Sequence, residues 1–193
     1  MPSVADPVYL VRHGQSEWNV LRLTQGQTHH PRLTELGRDQ AARAAELIAR
    51  DAGTRALRVV TSDLARAAET AEVIGARLGT APTHDERLRE QHLGALEGRG
   101  YDETWAVAEA HDWSDPSLPI AGGESVADVH RRMTAALHDH TGPVVLVSHG
   151  DAIRVAVAHL NGTAPHEAPW VDVPNGAVAR VADGTVTWLS PEL

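Results

Sequence analysis

Two segments of this chain share one pattern: a short apolar run, a histidine followed by glycine, and the start of a helix. The first is Val8-Tyr9-Leu10-Val11, leading into Arg12-His13-Gly14-Gln15-Ser16-Glu17-Trp18-Asn19; the second is Val144-Val145-Leu146-Val147-Ser148-His149-Gly150-Asp151. Runs this short and this rich in β-formers read as buried strands. A third strand, Leu57-Arg58-Val59-Val60-Thr61, passes into Ser62-Asp63-Leu64-Ala65-Arg66-Ala67-Ala68-Glu69-Thr70-Ala71, with Ser62 read as the cap of a helix. Strands that alternate with helices belong to an open, mostly parallel α/β sheet, and such sheets bind ligands outside the carboxyl ends of their strands. Here three strands would end there in Arg-His, Ser-x-x-x-Arg and Ser-His.

Those residue types suit an anion. Free backbone N–H groups at a helix start, the positive end of its dipole and the guanidinium of Arg12 as a bidentate clamp would hold a phosphate, with His13 at its edge and Ser16 capping the helix. An acid is available in Arg87-Leu88-Arg89-Glu90-Gln91-His92-Leu93-Gly94-Ala95-Leu96-Glu97-Gly98, where Glu90 precedes a glycine-punctuated turn. Taken singly, each of these residues has an ordinary structural role open to it.

Much of the remainder reads as scaffold. Ala41, Ala44, Ala45 and Ile48 share one helix face between Thr34 and Asp51; Val126, Val129, Met133 and Leu137 share another, begun by Ser125 with Asp128 in a variant capping box. A helix over 152–160 follows, and the runs at 176–181 and 185–189, joined at Asp183-Gly184, predict a terminal hairpin. Between Gly100 and Ser125 lie Tyr101, Trp105, Trp113 and six acidic residues without an arginine. A helix at about 102–111 is expected in this segment, with packing on the domain by Trp105 and contact of these aromatic residues with the substrate equally open and mutually compatible.

Composition narrows the chemistry. A length of 193 residues with 42% hydrophobic content predicts one domain over 1–193 with a full core. No cysteine is present, which excludes disulfides, thiolate catalysis and cysteine-ligated zinc. All 17 basic residues are arginine, which excludes Schiff-base lysine chemistry and a P-loop lysine. A net charge of −9 argues against nucleic acid as a partner. Without a run of transmembrane length, and with no basic or apolar leader in Met1-Pro2-Ser3-Val4-Ala5-Asp6, a cytoplasmic protein with no membrane partner is expected.

The chain resembles the histidine phosphatase superfamily, in the branch related to cofactor-dependent phosphoglycerate mutase. The likeness covers nearly the whole chain. It rests on Arg12-His13-Gly14 with Asn19, Gln25-Gly26, Leu33-Thr34 with Gly37, Ser62-x-x-x-Arg66-x-x-x-Thr70, Leu88-x-Glu90 with Leu96-Glu97-Gly98, Gly123-Glu124-Ser125 and Ser148-His149-Gly150, in that order. It implies a three-layer α/β sandwich, a mostly parallel sheet with helices on both faces, and a lid-like insertion at about 99–124. It also implies phosphoryl transfer through a phosphohistidine, with neither metal nor cofactor. His13 would be a neutral nucleophile; Arg12, Arg66 and His149, the last as an imidazolium, would neutralise the transferring oxygens. Asn19, the backbone of Gln25-Gly26 and the helix start at Gly150-Asp151 would add donors. Glu90 would protonate the leaving alkoxide and then activate water, with Glu97 as the next candidate acid.

Phosphatase is favoured over mutase. The insertion is short and acidic where longer mutases carry a basic cluster, the mutase Glu-Arg-His-Tyr run is Glu90-Gln91-His92-Leu93 here, and Asp151 stands where mutases have asparagine. A mutase, or an inactive binding protein on the same fold, stays open. Thr28-His29-His30-Pro31-Arg32 also departs from the family pattern; its histidines are read as exposed, and His138-Asp139-His140 as a cationic helix end rather than a metal site. A Ser-His hydrolase is disfavoured for want of a Gly-x-Ser-x-Gly elbow. The expected partner is a small phosphate monoester of unspecified identity, and a homodimer is compatible with the chain.

Overall fold

The computed structural model describes residues 6–164, 167 and 172–190. Six strands form one sheet: β1 (Val8–Arg12), β2 (Arg58–Thr61), β3 (Thr83–His84), β4 (Val144–Ser148), β5 (Val178–Ala182) and β6 (Thr185–Leu189), in the order β3-β2-β4-β1-β5-β6. β1, β2, β3 and β4 run parallel, and the hairpin β5–β6 joins β1 antiparallel. The register sets Leu10 beside Leu146 and Arg12 beside Ser148, while Thr61 pairs with Val147. The three chemistry-bearing strands are thus neighbours ending at one level. Backbone bonds extend that edge, His13 N–H to Ser148 O at 3.0 Å and Ser62 N–H to Val147 O at 3.0 Å.

Alternate strand residues point to opposite faces, and both faces are covered. Tyr9, Val11, Val145 and Val147 pack against α2 (Glu35–Ala52) and α3 (Ala65–Leu78) through Ala44, Ile48, Ala71 and Ile74. Leu10, Val60, Val144 and Leu146 pack against α5 (Val126–Asp139) and α6 (Gly150–Leu160) through Val129, Met133 and Ile153. The result is a three-layer α/β sandwich. Small side chains bring the layers close: a Cβ on Gly14 would lie 2.1 Å from the Gly37 carbonyl oxygen. Close backbone approach, as well as a sharp exit from β1, therefore demands the glycine after His13.

The expected caps form at Ser16, which starts α1 (Glu17–Leu21), and at Ser125, whose hydroxyl accepts from Asp128 N–H. Ser62 corrects the reading. The extended N-cap residue of α3 is Leu64, and Ser62 Oγ accepts the Leu64 N–H at 3.3 Å while lying 2.9 Å from His149 Nε2. The serine is occupied by the histidine, so the helix begins later. α4 (Tyr101–Ala110) is the helix of the insertion, yet it buries no residue, and Trp105 is 53% exposed. Of the two roles open to Trp105, lining the cleft is the one seen here, with α4 as a wall. β3 has no sequence signature, being two exposed residues without an apolar period.

Candidate active site

Arg12, His13, Arg66 and Glu90 line one cleft of about 550 Å³, and Asn19, Gln25, Gly26 and Gly150 line it too. His149 lies just behind, its ring centroid 5.1 Å from that of His13. Every residue assigned to the site from sequence is thus gathered at the carboxyl ends of β1, β2 and β4. The volume matches a small-molecule site.

His13 is 3% exposed. Its Nδ1 lies 2.7 Å from the Gly14 carbonyl oxygen, which can only accept, so Nδ1 carries the proton and Nε2 is bare. Burial first, then the charges of Arg66 and Arg12, hold its pKa well below the ordinary value. The side chain is therefore a neutral imidazole with an available lone pair.

Arg66 projects from the first turn of α3 and is 1% exposed. Its terminal nitrogens donate to Thr28 O at 2.9 Å and Gly26 O at 2.7 Å, which ties the loop at 26–28 to the cleft. Burial lowers its pKa to about 10, which leaves it charged at neutral pH. Arg12 donates to the Val173 carbonyl and lies 4.0 Å from Asp172. Both arginines have a buried Nε without a hydrogen-bond partner, as has His149 Nδ1. Unpaired buried polar groups are costly, and here three such groups belong to residues around one cavity.

The imidazolium expected at His149 is not the state this structure favours. Burial, then Arg66, His13, Arg132 and Arg12, hold it well below its ordinary pKa, so the free site carries it neutral. The helix start at Gly150-Asp151 needs a similar correction. The N–H groups of Asp151 and Ala152, at 3.2 and 3.0 Å, donate to the Glu90 carboxylate together with that of Gln91 at 2.9 Å. The α6 terminus thus holds the acid, and these donors are not free for phosphate. The Glu90 pKa is nevertheless raised, by burial first and the Asp151 carboxylate second, against those bonds.

The neutral donors are partly spoken for. Asn19 Oδ1 accepts the Ser16 N–H at 2.9 Å, while its Nδ2 faces the Tyr101 hydroxyl at 3.4 Å. Gln25 Oε1 accepts from Ser16 Oγ at 2.7 Å. Gly26 has φ +46°, and a Cβ there would meet Glu97 Oε1 at 2.2 Å. Glu97 itself accepts from Gln27 and Leu93 N–H groups and is not among the residues that line the cleft. It braces the loops instead.

Sequence reasoning missed Arg132. From α5 its guanidinium donates to the carbonyls of Arg87 at 2.8 Å, Arg89 at 2.5 Å and Glu90 at 2.9 Å, and to both oxygens of Glu124 at 2.8 Å. Glu124 also accepts from His92 N–H and Gln27. The Glu90 loop is therefore wrapped around one arginine. Asn175, also missed, donates to His13 O at 3.1 Å. His29 and His30 are exposed, with His30 edge-on to Trp18; His140 lies 2.7 Å from Asp85, and His138 is near Asp139. None of these four histidines lines the cleft.

Known proteins resemble this chain in sequence and fold. "Probable phosphoglycerate mutase GpmB" of Photorhabdus laumondii is 37% identical over 95% of this chain and 87% of its own. A mycobacterial glucosyl-3-phosphoglycerate phosphatase solved with VO3 superposes with TM-score 0.80 at 33% identity, over 96% of both chains. A phosphoserine phosphatase mutant from Entamoeba histolytica shares the fold at TM-score 0.78 and 24% identity, over 95% of both chains. A family model matches residues 8–188, and with the histidines, arginines and acid standing in family order the chain belongs to the histidine phosphatase superfamily, branch 1.

Proposed function

We propose that this protein is a phosphoric monoester hydrolase of the histidine acid phosphatase type, acting on a small phosphorylated metabolite. The observation that carries the reading is the bare Nε2 of a neutral His13 in one cleft with two guanidiniums and a carboxyl group of raised pKa. His13 Nε2 attacks phosphorus as the P–O ester bond breaks. Glu90 gives its proton to the departing oxygen, which leaves as the alcohol. The Glu90 carboxylate then takes a proton from water, whose oxygen attacks phosphorus. The N–P bond breaks and phosphate leaves. Arg12 and Arg66 neutralise the transferring oxygens, and His149 Nδ1 adds a donor. No step passes through a metal or an organic cofactor.

Mutase-named relatives favour a second reading, phosphoryl return to another hydroxyl of the substrate. It requires a seat for a second anionic group. Among the described residues that line the cleft, the only arginines are Arg12 and Arg66. Hydrolysis is therefore the better fit. The net charge of −9 supports neither nucleic acid nor an anionic membrane surface as a partner, and no helix among the described residues is long and apolar enough to cross a membrane. We read the protein as cytoplasmic, with a homodimer compatible with the chain.

The test is hydrolysis of p-nitrophenyl phosphate in the presence of EDTA, with His13→Ala beside the wild type. The wild-type protein should turn over and, when quenched in base with a labelled monoester, carry acid-labile, base-stable phosphate; the alanine variant should do neither. Label on serine, or undiminished turnover by His13→Ala, removes the mechanism. A wild type that binds phosphate without turnover is a binding protein.

A further inference from the structure

The cleft is divided by charge. Its two guanidiniums both belong to the phosphate end, beside His13. The rest of the lining includes Leu93, Tyr101, Trp105, Trp113 and Ile120 with the hydroxyls of Thr24 and Thr104, and Asp151 joins it from the first turn of α6. Asp172, 4.0 Å from Arg12, adds a second carboxylate to the lining, its side chain 90% exposed. No lysine or arginine occurs in the segment 165–171 that precedes it. The cations nearby are turned to other work. Arg22 stacks over the Tyr101 ring at 5.3 Å and meets Asp102 at 3.4 Å, and Arg154 meets Asp151 at 3.4 Å while lining a separate depression with Trp188. Trp113 is itself anchored, its indole N–H donating to Ala108 O at 2.7 Å.

Resting on the phosphatase reading above, we infer that the cleft selects monoesters whose alcohol half carries no anionic group and presents a flat apolar face to Tyr101, Trp105 and Trp113. Two guanidiniums match one phosphate dianion. A second carboxylate or phosphate on the substrate would leave water for a wall of indole and phenol beside Asp151 and Asp172, with no further arginine among the described lining residues to receive it. A ring there gains buried area and aromatic contact, and a positive charge on it would be tolerated by the same walls. Trp105, exposed on α4 when the cleft is empty, is the residue with most surface to offer.

The experiment compares kcat/KM for alkyl esters of similar leaving-group basicity. sn-Glycerol 3-phosphate against 3-phosphoglycerate isolates the added carboxylate, and 2-phenylethyl phosphate against ethyl phosphate isolates the ring. The ring should raise kcat/KM about 10-fold or more, and the carboxylate should lower it by a similar factor. Trp105→Arg, a change at an exposed position, should narrow the gap between glycerol phosphate and 3-phosphoglycerate; Trp105→Ala should shrink the phenylethyl advantage. If 3-phosphoglycerate matches or exceeds glycerol phosphate, or if neither variant moves its ratio, the substrate class is wrong while the phosphatase reading stands. If the wild type hydrolyses neither p-nitrophenyl phosphate nor any alkyl ester, the phosphatase reading fails and this inference with it.

Discussion

Replacing Arg66 by methionine should separate three roles that one side chain combines. Methionine keeps most of the volume at a position only 1% exposed, so packing is disturbed little. What is lost first is a guanidinium whose charge faces the transferring phosphoryl group; one such preorganised donor is worth roughly 100- to 1,000-fold in kcat. Second, the Gly26 and Thr28 carbonyls lose charged donors. That loss is offset in part because a charge is no longer buried, so we expect about 1–3 kcal/mol and a Tm drop of roughly 2–12 °C. Third, Arg66 is the second largest cause, after burial, of the lowered pKa at both His13 and His149. Catalysis needs His13 neutral, so activity is lost as pH falls through its pKa. Without Arg66 that pKa rises, and the acidic limb of kcat/KM moves to higher pH, yet stays below the ordinary histidine value because burial remains. The assay is p-nitrophenyl phosphate hydrolysis from pH 4 to 9 with a thermal melt of the same sample. A loss under fivefold, or an acidic limb that stays put or moves down, would refute the placement of Arg66 at the phosphoryl group.

Glu90→Gln should be slowed severely on alkyl phosphates and much less on p-nitrophenyl phosphate, whose phenolate leaves without a proton; a pre-steady-state burst of nitrophenol would mark dephosphorylation as the slow step. Neither effect, with phosphohistidine still forming, would move the acid elsewhere. Asp151→Asn removes the second cause, after burial, of the raised Glu90 pKa, so the alkaline limb on alkyl esters should move to lower pH; movement to higher pH contradicts the assignment. Arg132→Leu should cut kcat on alkyl esters by about 10-fold or more while vanadate affinity holds, because it frees the Glu90 loop and leaves the phosphate end intact. Arg132→Lys should restore only part, having fewer donors in the wrong geometry, and equal losses on alkyl and nitrophenyl esters would indicate general misfolding instead.

Strand positions were legible because an apolar run of four or five residues that ends in a polar cluster has few other solutions. Tyr9, Val145 and Val147 face one core and Leu10, Val144 and Leu146 the other, so these runs show no polar alternation. The Ser16 and Ser125 caps were legible because their partners lie three residues on. Arg66 was legible in part. In an alanine-rich helix it reads singly as a surface arginine; its place just after a strand put it at the ligand-binding edge, and the ordered likeness to a family gave it a role there. Arg132 is harder still: it lies on the polar side of an amphipathic helix, and what makes it special is three carbonyls 42 to 45 residues away. Ser62 has the spelling of a cap, but a histidine from another strand claims its hydroxyl. Trp105 left packing and a cleft-facing role equally open in the sequence, and it lines the cleft. In each case the deciding partner is distant in sequence, where local patterns carry no information.

In the proposed mechanism Glu90 serves as acid and then as base, and its surroundings suit both states. Three backbone N–H groups favour its ionised form, while burial and the neighbouring Asp151 favour the neutral one, and the outcome in the free site is a raised pKa. A phosphate dianion entering the cleft adds negative charge close by and shifts the balance further toward the protonated form, so the substrate itself helps charge the acid. The same negative charge would act on His149 against the burial and arginine charges that hold its pKa low. Once the proton has gone to the departing alcohol, the carboxylate left behind meets the donors of Gln91, Asp151 and Ala152 already in place. Those bonds are weak partners for the acid and strong ones for the base. The α6 terminus therefore stabilises Glu90 in the state needed for the second half-reaction, and Asp151→Asn, by removing one side of this balance, measures it.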